Sequence, residues 1–372
     1  MKKSPALIIP FAVITTILFL LFAADCPAAS PELAPEKIDE VVTKIMKEKN
    51  IPGLSLAISM PGRTIERSYG IANMEYNIPV ERDTIFQIGS VTKTFTAIGI
   101  LMLQQEVKLS VRDRITKYFP QYPQWHDITL KHLLQHTSGI REMTETEPFK
   151  SNQMRDWTPR EVIARMADEP LDFEPGQNAV YSNIGCIILG VVIEKVTGVS
   201  YNDFLSDRIL KPLGMAHTMF GSTSAIIPKR ASGYVFTGKL MNAPFASLVL
   251  PHASGGMTST ASDLVKLTKV FTAKALLTER SVREMFAPAR LTSGTEFVLP
   301  GPTINMTFGY SLDSVRGKKA VIPAKTGGIS GFNSYFAYFP ESQTMVAVTA
   351  NLDNSLGSLV IITDALFGLK DR

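Results

Sequence analysis

The sequence predicts an α/β protein of the α+β kind. One antiparallel sheet is built from the N- and C-terminal segments, flanked by helices, with a large and mostly helical insertion between them. Three observations predict it. Runs with strand character lie near both ends, at 54–59 and 64–69 and again at 308–312, 319–326, 332–339 and 344–350. From about 112 to 285 the chain instead shows helical stretches punctuated by Pro, Gly, Ser and Asn. Strands at both ends of a helical block fit termini that meet in one sheet, with the middle packed beside it. An active cleft is then expected between the sheet part (about 36–111 and 286–372) and the helical part (about 112–285).

Taken in order, the first element is a helix over 37–49, where Ile38, Val41, Val42, Ile45 and Met46 recur at helical spacing on a charged surface. Pro61-Gly62 turns the next two strands into a hairpin. The helix after Ser90 carries Phe95, Ala97, Ile98, Ile100, Leu101, Met102 and Leu103 and is apolar nearly all round, the mark of a core helix. In the middle block, 130–135 reads as a short helix stopped at Ser138-Gly139, and 159–167 and 184–196 as two more, the latter closed by Gly198. A helix over 262–273 is expected, with Ser262-Asp263 at its N-cap. Gly327-Gly328, Pro340-Glu341 and Asn351 break the last strands, and 356–369 forms the closing helix.

With 372 residues and 45% hydrophobic content, the chain has material for a large core, in one domain or two intimately joined ones. Its formal charge of +4 includes Lys2 and Lys3, and no Lys/Arg block forms a nucleic-acid patch, so no nucleic-acid partner is expected. Residues 1–29 have the layout of an export signal: two lysines, an apolar run over 6–24, then small residues through Ala28-Ala29-Ser30. Left uncleaved, the run over 6–24 would anchor the chain in the membrane. Either way the folded part, 30–372, is expected outside the inner membrane, periplasmic or secreted. Asp25 before Cys26 does not suit a lipidation site, and Cys186 is then the one cysteine of the mature chain, which excludes an internal disulfide. Set in an apolar run, Cys186 reads as buried and inert.

The chemistry starts at Ser90 and Lys93, which share one face at the start of the core helix. A serine hydroxyl is a weak nucleophile at neutral pH, and a neutral amine beside it can activate it. A lysine carried into an apolar helix is costly unless paired or deprotonated, the state a catalytic lysine needs. Ser-x-x-Lys arises by chance about once in a chain of this length at ordinary frequencies of roughly 6–7% each, so the pair needs company. Tyr181-Ser182-Asn183 and Lys325-Thr326-Gly327 supply it, although each alone also reads as a helix start or a lysine before a glycine turn. A phenol between two cationic lysines is expected to lose its proton more easily than the reference value near 10. At a strand end, Lys325 and Thr326 can hold a substrate carboxylate, and Gly327 lets a peptide-like substrate lie along the edge. His132 and His136 are four apart, as in a zinc helix, but the Glu of His-Glu-x-x-His and a third ligand are missing, so no metal is expected.

Ser90-x-x-Lys93, Tyr181-Ser182-Asn183 and Lys325-Thr326-Gly327, in that order, resemble the motifs of the penicillin-recognising serine hydrolases. The likeness is to the branch holding class C β-lactamases, D-Ala-D-Ala carboxypeptidases and related esterases. Leu133 to Ile140, Glu174-Pro175-Gly176, Pro212-Leu213-Gly214-Met215 and Gly255-Gly256-Met257 agree with it. The resemblance implies a β-lactamase/transpeptidase-like fold, no cofactor, and a Ser90 acyl-enzyme with Lys93 as base. It also implies Tyr181 in proton transfer, Asn183 on the substrate or Lys93, and the Ser90 and Gly328 N–H groups as oxyanion donors. Expected substrates are β-lactams or D-Ala-D-Ala peptides, with a carboxylesterase as the alternative. Lys325 argues against the esterase, whose relatives often carry His there, while Ser182 and Cys186 lean toward peptidases and esterases. The expected partner is a small acyl substrate met by a monomer. A non-catalytic binding protein on this scaffold would have lost one of Ser90, Lys93 or Tyr181.

Overall fold

The computed structural model describes residues 33–369 except 153, 223, 301–304 and 317–320. The expected export leader, with Cys26, lies outside the described residues, as do the first residues of the strand expected over 319–326.

Helix α1 (Pro35–Lys49) starts with Pro35 in its first turn and stops at Asn50, whose φ of 54° breaks the helical run. Strands β1 (Gly53–Met60) and β2 (Arg63–Asn73) form the hairpin around Pro61-Gly62, and β3 (Ile78–Pro79) continues it. The middle of the chain supplies α2 (Thr92–Gln105), α3 (Leu130–Leu134), α4 (Pro159–Ala167) and α5 (Asn183–Thr197). The C-terminal part gives β4 (Asn305–Phe308), β5 (Asp313–Arg316), β6 (Val321–Ile322), β7 (Ala324–Ile329), β8 (Phe332–Phe339), β9 (Thr344–Ala350) and α6 (Leu356–Phe367).

The main sheet is antiparallel with strand order β7-β8-β9-β1-β2-β3. The two ends of the chain meet where Leu54 of β1 faces Ala350 of β9. Because side chains alternate along a strand, Leu54, Leu56, Ile58, Val346 and Val348 join Ile38 and Val42 of α1 and Leu359 and Ile362 of α6 in one core. Ala57, Phe336 and Ala347 enter a larger core that holds α2 and α5. With both faces covered, β8 and β9 are buried at every position, which is why they are mostly apolar and show no clean alternation with exposed polar residues.

Three expected elements are redrawn. The strand expected over 319–326 is divided at Pro323 into β6, in a small second sheet, and β7, in the main sheet, and Gly327-Gly328 pair within β7 rather than breaking it. The run 308–312 is not a strand: β4 ends at Phe308, Ser311 turns the chain at φ 53°, and β5 opens at Asp313 in a separate sheet of order β6-β5-β4. The helix over 262–273 is three short successive pieces, Ala261–Leu264, Val265–Leu267 and Thr268–Phe271. Its cap is Thr260, whose hydroxyl accepts the Asp263 N–H at 3.0 Å, and the Asp263 carboxylate instead accepts from the His217 N–H and the Thr218 hydroxyl. Among the described residues, no single helix is long and apolar enough to cross a membrane.

Candidate active site

Ser90 sits in a single tight turn, Gly89–Val91, that feeds directly into α2. The turn is pinned by Thr92, whose hydroxyl donates to the Gly89 carbonyl at 2.7 Å and accepts the Met257 N–H at 3.1 Å. Every residue of α2 from Thr92 to Leu103 is buried, so Lys93 is carried wholly inside. Its Nζ lies 3.1 Å from Ser90 Oγ, 2.7 Å from Asn183 Oδ1 and 2.8 Å from the Ser254 carbonyl oxygen. Burial, and then the positive charge of Lys325, draw Lys93 down from 10.5 to about 8, against the opposing charges of Glu142 and Asp313. With two acceptors taking the two N–H groups of the neutral amine, its lone pair is left for the Ser90 hydroxyl.

The second motif is built by helix capping. The Ser182 hydroxyl accepts the Gly185 N–H and starts α5, which leaves Tyr181 just before the helix and Asn183 at its first position. Asn183 is oriented by Glu142, whose carboxylate accepts the Asn183 backbone N–H at 2.6 Å and its Nδ2 at 2.8 Å, turning Oδ1 toward Lys93. Tyr181 stands between the two lysines, with Lys93 Nζ 4.7 Å and Lys325 Nζ 4.9 Å from its ring centre. The expected easy ionisation of Tyr181 is not met. Burial, and then the negative charge of Asp313, push its phenol well above 10.0, so the group stays protonated.

His132 and His136 are spent on the fold. His132 Nδ1 accepts the Thr129 N–H as part of the cap of α3, and His136 Nδ1 accepts the Ser182 N–H while its ring packs, tilted by 35°, 4.8 Å from that of Tyr181. Cys186 is buried against Ser311, and desolvation pushes its thiol up, as an inert side chain requires.

The third motif lies on β7, against the Ser90 turn. A methyl group added to Gly327 would fall 2.1 Å from the Ile88 carbonyl oxygen, and one added to Gly89 would fall 2.8 Å from the Gly328 nitrogen. Only glycines let the two backbones meet this closely, and this sets the Gly328 peptide beside Ser90. Lys325 and Thr326 do not stand free for a carboxylate as expected. Lys325 is fully buried and its Nζ donates to Asp313 Oδ1 at 2.7 Å, while the Thr326 hydroxyl donates to Asp313 Oδ2 at 2.7 Å.

A cavity of about 200 Å³ opens onto Ser90, lined also by Asn183, Ser254, Gly328 and the apolar side chains of Met143, Phe149 and Leu250. A wider cleft of about 550 Å³, lined by Met60, Arg82, Lys266 and Gln343 among others, holds none of the motif residues. The family model described as Beta-lactamase matches residues 38–367. The chain belongs to the beta-lactamase family. As a member, it is a serine hydrolase. Penicillin-binding protein 4* of Bacillus subtilis (strain 168) is 27% identical over 297 residues, 75% of this chain. The match spans 63% of that relative's own length. A beta-lactamase of Escherichia coli (strain K12) is 27% identical over 371 residues, 91% of this chain and 94% of its own length. Among solved structures, the D-amino acid amidase of Ochrobactrum anthropi SV3 superposes with a TM-score of 0.79 at 26% identity, over 90% of this chain and 97% of that one.

In this beta-lactamase-family site, the structure brings together Ser90, Lys93, Tyr181, Asn183, Lys325, Thr326, Gly327 and Gly328. Three residues that sequence reasoning passed over complete it. Ser254 acts through its backbone carbonyl, for which a sequence carries no signal. Glu142 lies in a polar loop where a carboxylate looks ordinary, and Asp313 falls just beyond the run misread as a strand.

Proposed function

We propose that this serine hydrolase works through an acyl-enzyme on Ser90, with Lys93 as the base. The observation that carries the reading is the fully buried Lys93 Nζ at 3.1 Å from Ser90 Oγ, lowered to about 8 and with its other neighbours both acceptors. Ser90 attacks the acyl carbonyl as its proton passes to Lys93, and the N–H groups of Ser90 and Gly328 stabilise the oxyanion. Tyr181, kept protonated, hydrogen-bonds the leaving atom, and the proton held by Lys93 departs with the released amine or alcohol. Water then repeats the steps on the ester, freeing the acid and restoring Ser90.

The acyl donors are small amides or esters, the class that includes β-lactams and D-Ala-D-Ala peptides. A second reading, an esterase or amidase that needs no carboxylate, is favoured by the Lys325–Asp313 ion pair. Export belongs to the same proposal and rests on the leader pattern over 1–29. Protein lacking residues 1–29 should gain acyl mass on Ser90 with a short p-nitrophenyl ester or a fluorescent penicillin, and Ser90→Ala with neither. Turnover that persists in Ser90→Ala would overturn the reading. A penicillin adduct that decays fast marks a β-lactamase, one that persists marks a peptidase, and ester turnover without it marks an esterase.

A further inference from the structure

Asp313 lies where the sequence led us to expect a substrate carboxylate. It is 3% exposed, and both of its oxygens are taken: Oδ1 by Lys325 Nζ at 2.7 Å, Oδ2 by the Thr326 hydroxyl at 2.7 Å and the Thr326 backbone N–H at 3.3 Å. The strand register explains how it gets there. Asp313 opens β5, outside the main sheet, and reaches across to the first two residues of the β7 motif. We infer that Asp313 is a specificity-determining residue that turns this site against acyl donors bearing a carboxylate, in favour of donors with a carboxamide or ester at that position. This role of Asp313 rests on the Ser90 acyl-enzyme reading, whose substrate class it narrows.

Hydrogen-bond direction and charge both support it. A threonine hydroxyl has one hydrogen, and that of Thr326 is committed to Asp313. What Thr326 Oγ1 then offers a substrate is a lone pair, which suits the N–H of a carboxamide and not a carboxylate oxygen. Lys325 carries the compensating charge, but it is buried between Asp313 and the Tyr181 ring, so the pair presents no net positive charge. A substrate carboxylate placed beside Thr326 would face a fixed carboxylate of the same sign, and like-charge placement is how sites reject the wrong partner. Asp313 is not itself a cation site, because its acceptor oxygens are already in use.

The test compares N-acyl-D-alanyl-D-alanine with its C-terminal carboxamide, reading kcat/KM and acyl mass on Ser90 for each. The wild-type protein is expected to favour the carboxamide by about tenfold or more, as like-charge rejection implies. Asp313→Asn, which keeps the shape and removes the charge, should erase or reverse that ratio. Because the ratio is taken within one preparation, any misfolded fraction of the variant cancels. A wild-type preference for the carboxylate, or a ratio that Asp313→Asn leaves unmoved, overturns the role of Asp313 alone. Turnover of both donors without acyl mass on Ser90 overturns the acyl-enzyme reading and this inference with it.

Discussion

At the scale of single residues, the site is a problem of keeping one amine neutral without leaving it unpartnered. Lys93 has three neighbours for its nitrogen, so its depressed value near 8 owes more to burial than to lost hydrogen bonds. Because the base must be neutral, kcat/KM should rise about tenfold per pH unit below about 8 and level off above it, a profile measurable with an ester that does not itself ionise. Stability tied to Lys93 has the same sign. Between about 8 and 10.5 the unfolded chain holds a proton that the folded one has released, so this group favours the fold more as pH rises through that window. Glu142 opposes the shift, since its charge raises Lys93 while its oxygens hold Asn183 in place. Glu142→Gln is expected to do two things at once. It should cut acylation about tenfold to a hundredfold, because an amide cannot accept both Asn183 donors. It should also move the midpoint of the pH profile below that of the wild type. A slower enzyme with an unmoved midpoint would mean that Glu142 acts only on Asn183.

At the scale of elements, β7 and the Ser90 turn are in backbone contact. A Cβ at Gly327 would overlap both the Ile88 carbonyl oxygen, at 2.1 Å, and Ser334 Oγ, at 2.3 Å, so Gly327→Ala must push the strand from the turn. That should cost about 3 kcal/mol or more of stability and remove most acyl labelling, because the oxyanion donors no longer converge. Gly62, at the tip of the β1–β2 hairpin, has φ +75° but nothing within 4 Å of a Cβ. Gly62→Ala should therefore cost only about 1–2 kcal/mol, the strain of a left-handed alanine, with labelling intact. Thermal melts and mass-spectrometric labelling of the two variants, side by side, separate close approach from backbone strain. Equal losses in both would rule out the contact as the cause.

Across the whole molecule, several histidines are carried neutral. Burial draws His252 down to about 4 and His136 well below 6.5. Below pH 6.5 the unfolded chain gains protons that the folded chain refuses, so stability is intact above 6.5 and falls as pH drops toward 4. His252 alone accounts for about 3 kcal/mol of that fall, because each pH unit between 6.5 and about 4 is worth about 1.4 kcal/mol. His252→Asn, with an amide that tolerates the φ of 38° found there, should flatten the urea-denaturation stability between pH 7 and pH 5. An unchanged slope would show that other groups carry the acid sensitivity. The sequence by itself determined the two-ended sheet, the core helix behind Ser90, the burial of Lys93 and the three motifs, because periodicity and short-range spacing are written locally. It misplaced the strand at 308–312, since a left-handed Ser311 leaves no mark on apolar spacing. Only the tertiary structure decided that Tyr181 stays protonated, that Glu142 orients Asn183, and that Asp313 holds Lys325 and Thr326. Tyr181 owes its state first to burial and then to Asp313, and the other two contacts need a carboxylate from outside the motifs, Glu142 or Asp313, which only the folded chain sets against them.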